Sequence, residues 1–456
     1  MIEIGSRLEP FVDDYLIERM DGIALRLHSP TPQGTVIHHG APWEGALTGY
    51  PAIVPIEGGW RMYYRGWPDE KGMAYVCVSE SADGIAWERP SLGLVEFEGS
   101  ADNNIVATDE ALEGTRGAHN FTPVLDARPD VPAEERYKAL AYGPNVGERL
   151  HSLCAYVSED GLSWRALNGG EPVFRADSWR VMLDSQNVGF WDEVAGEYRL
   201  YGRNWVGPVR HIFRSRSEDF IHWSEPESLD FGDAPAEHLY TNSTIPYDRA
   251  PHILMAFPKR FVPHRMKVEG WPSGGLSEAT FMTSRDGLRW HRHLEALVRP
   301  GLGDERWTER SYMVARGLIA TAPQELSLYW MEDYRRPVPR MVRGTVRTDG
   351  FVSVSASYAG GEMVTRPFSF EGERLLLNAS TSAAGGIRVE MQDAAGRPLP
   401  GLSLADCPEI YGDGLELAVP WAGAGSVKGW ADLAVRLRFV MRDADLYSLR
   451  FASAEQ

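Results

Sequence analysis

The sequence predicts an all-β chain, a five-bladed β-propeller followed by a C-terminal β-sandwich, on three observations. The 46 Gly, 30 Pro and 15 Trp beside 43% hydrophobic residues suit many short strands joined by turns better than long helices. A Ser-x-Asp-x-x-x-Trp repeat recurs as Ser81-Asp83-Trp87, Ser158-Asp160-Trp164, Ser217-Asp219-Trp223 and Ser284-Asp286-Trp290. After Ala356 that repeat gives way to segments with plain two-residue alternation.

Each repeat follows a strand-like stretch (Ala74 to Val78, Leu153 to Val157, His211 to Arg214, Ala279 to Thr283), and in three of them Gly follows the Asp. Asp-Gly after such a run is a hairpin-turn signal, and the Trp anchors the next strand. Arg347-Thr348-Asp349-Gly350-Phe351 reads as a fifth, decayed copy. The copies recur at roughly 60 to 75 residues, longer than the shortest propeller repeats, which leaves room for loops on one rim.

Two further strands precede each turn in constant order. The inner ones are Tyr50 to Ile56, Phe121 to Leu125, Val188 to Trp191, Ser243 to Tyr247 and Tyr312 to Thr321. The return strands are Trp60 to Arg65, Tyr137 to Tyr142, Tyr198 to Arg203, His252 to Pro258 and Leu326 to Met331. Five such sets make five blades. The segment Arg7 to His28 is expected to add an outer strand to the last blade. The later strands, Phe368 to Asn378, Gly386 to Gln392, Leu415 to Val419, Leu433 to Phe439 and Tyr447 to Phe451, read as a sandwich. The domains are therefore expected at 1–357 and 358–456, in keeping with a 456-residue chain too long for one core.

A formal charge of -18 leaves no general basic field for a nucleic-acid backbone or an anionic membrane. Cys77, Cys154 and Cys407 form neither a metal knuckle nor a disulfide framework. No cationic-then-apolar leader and no membrane-length apolar run is visible, so a cytoplasmic location is expected. Zinc-helix, phosphate-loop, dinucleotide and nucleophile-elbow motifs are missing from the sequence, and neither cofactor nor metal is expected.

Blade topology separates two rims. The Asp-x-x-x-Trp turns belong to one, where Asp83, Asp160, Asp219 and Asp286 tie their own backbone. The funnel is lined at the other, by residues just before inner strands and just after return strands: Glu44, His119, Asn120, Asp184, Gln186, Asn187, Glu237, Tyr240, Glu309 and Arg310 in the first group, Arg65, Trp67, Arg203, Lys259, Arg260 and Glu332 in the second. Several carboxylates among arginines and aromatic rings suit glycosyl transfer, which needs a proton donor and a second carboxylate as base, nucleophile or charge stabiliser. Asp184, Glu237 and Glu309 are the catalytic candidates. Gln186 and Asn187 would orient Asp184, Arg203 would pair with it, and Glu237 would be the acid. His119, Asn120, Gln186, Asn187, Arg203, Tyr240, Arg260, Arg310 and Glu332 are the substrate-binding candidates. Arg203, Arg260 and Arg310 also suit a phosphate or a uronate carboxylate.

The inner strands and the Ser-x-Asp-Gly-x-x-Trp words resemble the furanosidase superfamily of five-bladed propellers, glycoside hydrolase families 32, 43 and 68. The propeller-plus-sandwich layout is similar to family 32. Phe11-Val12-Asp13-Asp14-Tyr15-Leu16-Ile17-Glu18 and Asp443-Ala444-Asp445-Leu446-Tyr447-Ser448 resemble bacterial proteins described as like that family. The resemblance implies a glycoside hydrolase acting on the ends of oligosaccharides or polysaccharides. Its catalytic residues do not carry over, because Gly49-Tyr50-Pro51 and His119-Asn120-Phe121 stand where that pattern has acids. A phosphorylase or lyase on the same scaffold, and a non-catalytic sugar-binding propeller, are the alternatives.

Overall fold

The four Ser-x-Asp repeats are turns with one bonding pattern. Oδ1 of each aspartate accepts two backbone amides: Ile85 and Ala86 on Asp83 (2.7 and 2.9 Å), Leu162 and Ser163 on Asp160 (both 2.7 Å), Ile221 and His222 on Asp219 (both 2.8 Å), Leu288 and Arg289 on Asp286 (both 2.8 Å). The serine hydroxyl accepts the amide of Gly84, Gly161, Phe220 or Gly287, and the tryptophan indole donates to the carbonyl of that same residue. This fourth position has φ between 67 and 76° in all four turns, a region open to glycine and costly for Phe220.

A computed structural model of the chain describes residues 1–453 apart from 70–71, 113–116, 145–150, 177, 179 and 424. The fold is all-β, and the residues divide into two compact units, 30–247 with 251–345, and 1–29 with 248–250 and 346–456. The first unit is a five-bladed propeller built on five sheets. Blade one runs Gly49–Ile56, Gly59–Gly66, Tyr75–Ser81, Ile105–Thr108; blade two Thr122–Leu125, Tyr137–Tyr142, Ser152–Ser158, Arg165–Ala166; blade three Val188–Asp192, Glu197–Val206, Val209–Ser217, Glu227–Ser228. Blade four has Ile245–Tyr247, Ala250–Ala256, Leu276–Ser284 and Trp290–Val298, with an added pair, His238–Leu239 and Lys259–Val262, on the long third strand. Blade five has Met313–Val314, Glu325–Glu332 and Arg340–Arg347.

The strand that completes blade five is Thr31–His38, paired antiparallel with Arg340–Arg347. The expected closing segment, Arg7 to His28, lies elsewhere: Ile17–Asp21 pairs with Gly361–Thr365, and Ile23–Leu27 with Val352–Ala356. The reason is apolar. Phe11, Leu16 and Ile17 are buried in the core shared by Phe368, Phe439 and Phe451. That second unit is hydrogen-bonded as one ten-stranded sheet around two long strands, Arg374–Asp393 and Val435–Ala452.

Apolar cores lie between neighbouring blades. Phe121 and Tyr156 of blade two pack with Tyr63 and Val78 of blade one, and Ile53 and Met62 of blade one with Tyr329 and Met341 of blade five. Tyrosine hydroxyls tie the turns across the same seams, Tyr63 to the Gly161 carbonyl (2.5 Å), Tyr201 to that of Gly287 (2.9 Å) and Tyr329 to that of Gly84. Antiparallel register then fixes the two ends of each blade. In blade one Gly49 stands opposite Arg65 at one end while Trp60 stands opposite Ser81 at the other; in blade three these places are taken by Val188 with Tyr201 and Tyr198 with Ser217. The aspartate turns therefore lie at the end opposite the entries to the inner strands.

Candidate functional site

At the entry end the backbone enters the inner strands through polar residues, and their first task is to tie blades together. Asn120 and Asn187 both donate to the carbonyls of Leu183 and Ser185. Gln186 Oε1 accepts the amides of Asn242 and Ser243, the Ser185 hydroxyl donates to the Tyr240 carbonyl, and the Ser243 hydroxyl to that of Val314. The run links blades two, three, four and five around the axis. Buried polar groups need such partners, which is why these positions are not apolar. Asn120, Gln186 and Asn187, expected to touch substrate, are at most 1% exposed and engaged in this belt.

Above the belt sits a cluster of cations and tyrosines drawn from four blades. Arg65 (3% exposed) donates to the Leu47 carbonyl, His119 and the Tyr334 hydroxyl (2.7, 3.0 and 3.2 Å), with its guanidinium 4.8 Å from the Tyr50 ring centre and 4.7 Å from that of Trp67. Arg203, 4% exposed, lies 4.7 Å from the Tyr240 ring and donates to Asp184, whose side chain is 38% exposed. Arg210 covers Trp205 and Tyr240 at 4.8 and 5.2 Å. Lys259 Nζ is 4.5 Å from the centre of the Tyr240 ring and donates to the Arg310 carbonyl at 3.5 Å. Arg310 itself lies 5.8 Å from the Tyr334 ring. Cations over aromatic faces recover part of the hydration they lose. Burial, followed by the charge of Arg310, pushes the Lys259 ammonium well below its usual range, and the charges of Glu309, Arg203 and Arg65 also reach it. Non-glycine residues with left-handed backbone gather here as well: Tyr50 (φ 56°), Ser243 (45°), Arg310 (63°), Tyr312 (63°) and Asp333 (60°). Such conformations cost of order 1 kcal/mol each and are held by surrounding structure.

The Arg203–Asp184 contact expected from antiparallel pairing is formed. The remaining carboxylates are distributed differently. Glu237 is held by Arg260 (3.2 Å) and Arg292 (2.5 Å), with Glu278 on the same Arg260, so guanidinium groups rather than another carboxylate surround it, and no bond joins it to Asp184. Arg260 belongs to that lateral network. Glu309, 2% exposed, accepts from Arg335 (2.9 Å) and from the Trp271 indole. Glu332 accepts from Trp330 and Arg340 (2.9 and 2.7 Å). Glu44 is sealed among Ala41, Tyr64 and Arg89; burial works against its charge, yet hydrogen bonds and charge from His39 and Arg89 hold its carboxyl down at about 2. Among the described residues no three or more His, Cys, Asp or Glu side chains gather as a metal site would need.

Tyr50, Arg210 and Tyr334 are members of the cluster that the sequence did not single out. Arg210 lies just after the turn of a hairpin whose strands, Glu197–Val206 and Val209–Ser217, run beyond the expected Arg203 and pair Arg210 with Trp205. The Trp205-Val206-Gly207-Pro208 tip was a readable signal for that extension. Tyr50 was hidden inside an apolar strand.

No family model matches the chain, and no curated protein matches it. Solved structures do. One described as a glycoside hydrolase is 11% identical over 70% of this chain and 92% of its own, with a TM-score of 0.48. An N-acetylgalactosamine deacetylase from F. plautii in complex with blood group B trisaccharide is 12% identical over 73% and 97%, TM-score 0.45. A glycosyl hydrolase from Bacteroides ovatus is 15% identical over 72% and 92%, TM-score 0.41. At these levels neither activity nor substrate passes from them to this chain.

Proposed function

We propose that this chain is a carbohydrate-active enzyme that cleaves glycosidic bonds at the entry end of the propeller, with Asp184 as its working carboxylate. The observation that carries this reading is the convergence on one open rim of a part-exposed carboxylate, oriented by a buried arginine, with tyrosines from blades one, four and five. Tyrosine rings offer an apolar face and a polar tip, the combination a sugar ring presents in return. In hydrolysis the bond from the anomeric carbon to the leaving oxygen breaks, that oxygen takes a proton, and water supplies the new hydroxyl. Asp184 acts as base or nucleophile. Glu309 is the second carboxylate of this reading, because it directly precedes Arg310, a member of the cluster. Glu237, engaged by Arg260 and Arg292, is left out of the chemistry.

A second reading, a glycan-binding propeller without turnover, is favoured by one fact: both oxygens of Glu309 are occupied and buried, which suits a wall better than a proton donor. For the ten-stranded unit, its two long strands and common core support a β-sandwich.

The test is a screen of oligosaccharides and aryl glycosides with wild-type and Asp184→Asn protein. Turnover is expected to fall on the order of a thousandfold, about 4 kcal/mol of transition-state stabilisation, with melting temperature little changed. Turnover that survives the substitution would refute the site. Sugar affinity without turnover in either protein would establish the second reading.

A further inference from the structure

The charge balance of the cluster is unusual for this molecule. The protein carries 64 Asp and Glu against 46 Lys and Arg, yet Arg65, Arg203, Arg210, Lys259 and Arg310 converge on three tyrosine rings. Elsewhere in the propeller, several buried or half-buried arginines carry a carboxylate, as Arg61 does with Glu80, Arg199 with Asp192, Arg214 with Glu227, Arg292 with Glu237 and Arg343 with Glu325. In the cluster, among the described residues, only Arg203 does, through Asp184. The partners found for Arg65 are a carbonyl, an imidazole, a phenol and two rings; those for Arg210 are His238 and three rings. Arg310 has the Tyr334 ring, and Lys259 a carbonyl and the Tyr240 ring. Burying a cation costs several kcal/mol unless an opposite charge compensates, and neutral dipoles and ring faces return only part of that. Among the described residues the compensation is incomplete and what is missing is negative, while Asp184, Tyr240 and Arg310 are each only partly buried.

We infer that this end of the propeller holds an oxyanion, borne by a uronic acid residue of the glycan or supplied as free phosphate, among Arg65, Arg203, Arg210, Lys259 and Arg310. The inference rests on the reading that a glycan is processed there, and it names what distinguishes that glycan or its co-substrate. Guanidinium groups match the spacing of carboxylate and phosphate oxygens, and Lys259 adds an amine donor beside Tyr240. Asp184, at the exposed edge, then faces the neighbouring part of the sugar.

Calorimetric titration at low salt with oligogalacturonate and oligoglucuronate, with the neutral hexose oligomers of the same linkage, and with inorganic phosphate tests this. A uronate is expected to bind at least about tenfold tighter than its neutral counterpart, with most of the margin lost at high ionic strength. Arg310→Gln and Lys259→Met should abolish the margin and Arg310→Lys should retain part of it, each with its melting temperature checked. Asp184→Asn should keep or tighten uronate binding, because it removes a like charge, while ending turnover. If phosphate is the source, phosphate alone binds wild type, loses affinity in the same variants and accelerates glycan cleavage, and uronates show no margin. Equal binding of acidic and neutral glycans without phosphate binding would overturn the inference, as would a margin unchanged in Arg310→Gln and Lys259→Met. Turnover lost in Asp184→Asn without any oxyanion preference refutes the oxyanion site alone; oxyanion binding without turnover in wild type refutes the enzymatic reading alone.

Discussion

Asp184 and Glu44 are both carboxylates that precede an inner strand, and the structure gives them opposite situations. Asp184 keeps one partner, Arg203, and over a third of its side chain in solvent. Glu44 is fully buried, with five hydrogen bonds from His39, Ala41, Tyr64 and Arg89. That difference depends on long-range neighbours such as Arg89, forty-five positions away, and so is not written locally. The polar run Asp184-Ser185-Gln186-Asn187 was legible as something other than core, but Ser185 and Gln186 bond across to blade four and Asn187 bonds back onto the run itself. Glu44 yields a stability prediction. Its folded pKa of about 2 lies below the value of 4.5 for an unperturbed glutamate, so its contribution is fully present above pH 4.5 and is lost as pH falls toward 2. The shift corresponds to on the order of 3 kcal/mol at neutral pH. Urea unfolding of Glu44→Gln should show that deficit at pH 7 and a shrinking one below pH 4.5; parallel pH curves for the two proteins would show that the network does not stabilise the charge.

At the scale of elements, the repeat words carried most of the fold. A turn motif is local chemistry, so Ser-x-Asp and its Trp could be read directly, and the return strand Tyr137–Tyr142 matches its expected bounds. Two elements were not legible. Thr31–His38 is a largely exposed edge strand without alternation, so nothing marked it as the closing strand, while the apolar Phe11 to Ile17 stretch drew attention to a segment that packs in the other unit. Blade four hides an inserted pair, His238–Leu239 with Lys259–Val262, that brings Tyr240 and Lys259 together through a 2.8 Å backbone bond. The turn assignment carries its own prediction. Asp160→Asn weakens the turn but leaves the opposite end untouched, so chemical denaturation should register a loss of about 1 kcal/mol while turnover per folded molecule stays near wild type. A folded, inactive Asp160→Asn protein would place function at the turn end.

For the whole molecule, the propeller divides labour between its ends. One is sewn by aspartate turns and tyrosine staples, the other gathers residues from four blades into a cluster of cations and phenols beside the part-exposed Asp184. Composition pointed to acidity, strand topology put Arg65, Arg203, Lys259 and Arg310 at one rim, and the structure added Arg210 to them. The proposed role of that end is to hold a glycan. The most direct measurement is a crystal structure of Asp184→Asn soaked with an oligosaccharide that the wild-type protein cleaves. The expected result is sugar density over Tyr240 and Tyr334, with a glycan oxygen within about 3 Å of the residue-184 side chain. Ordered sugar bound along Glu237 and Arg292, at the Asp160 turn, or on the ten-stranded unit, with the entry end empty, would contradict it.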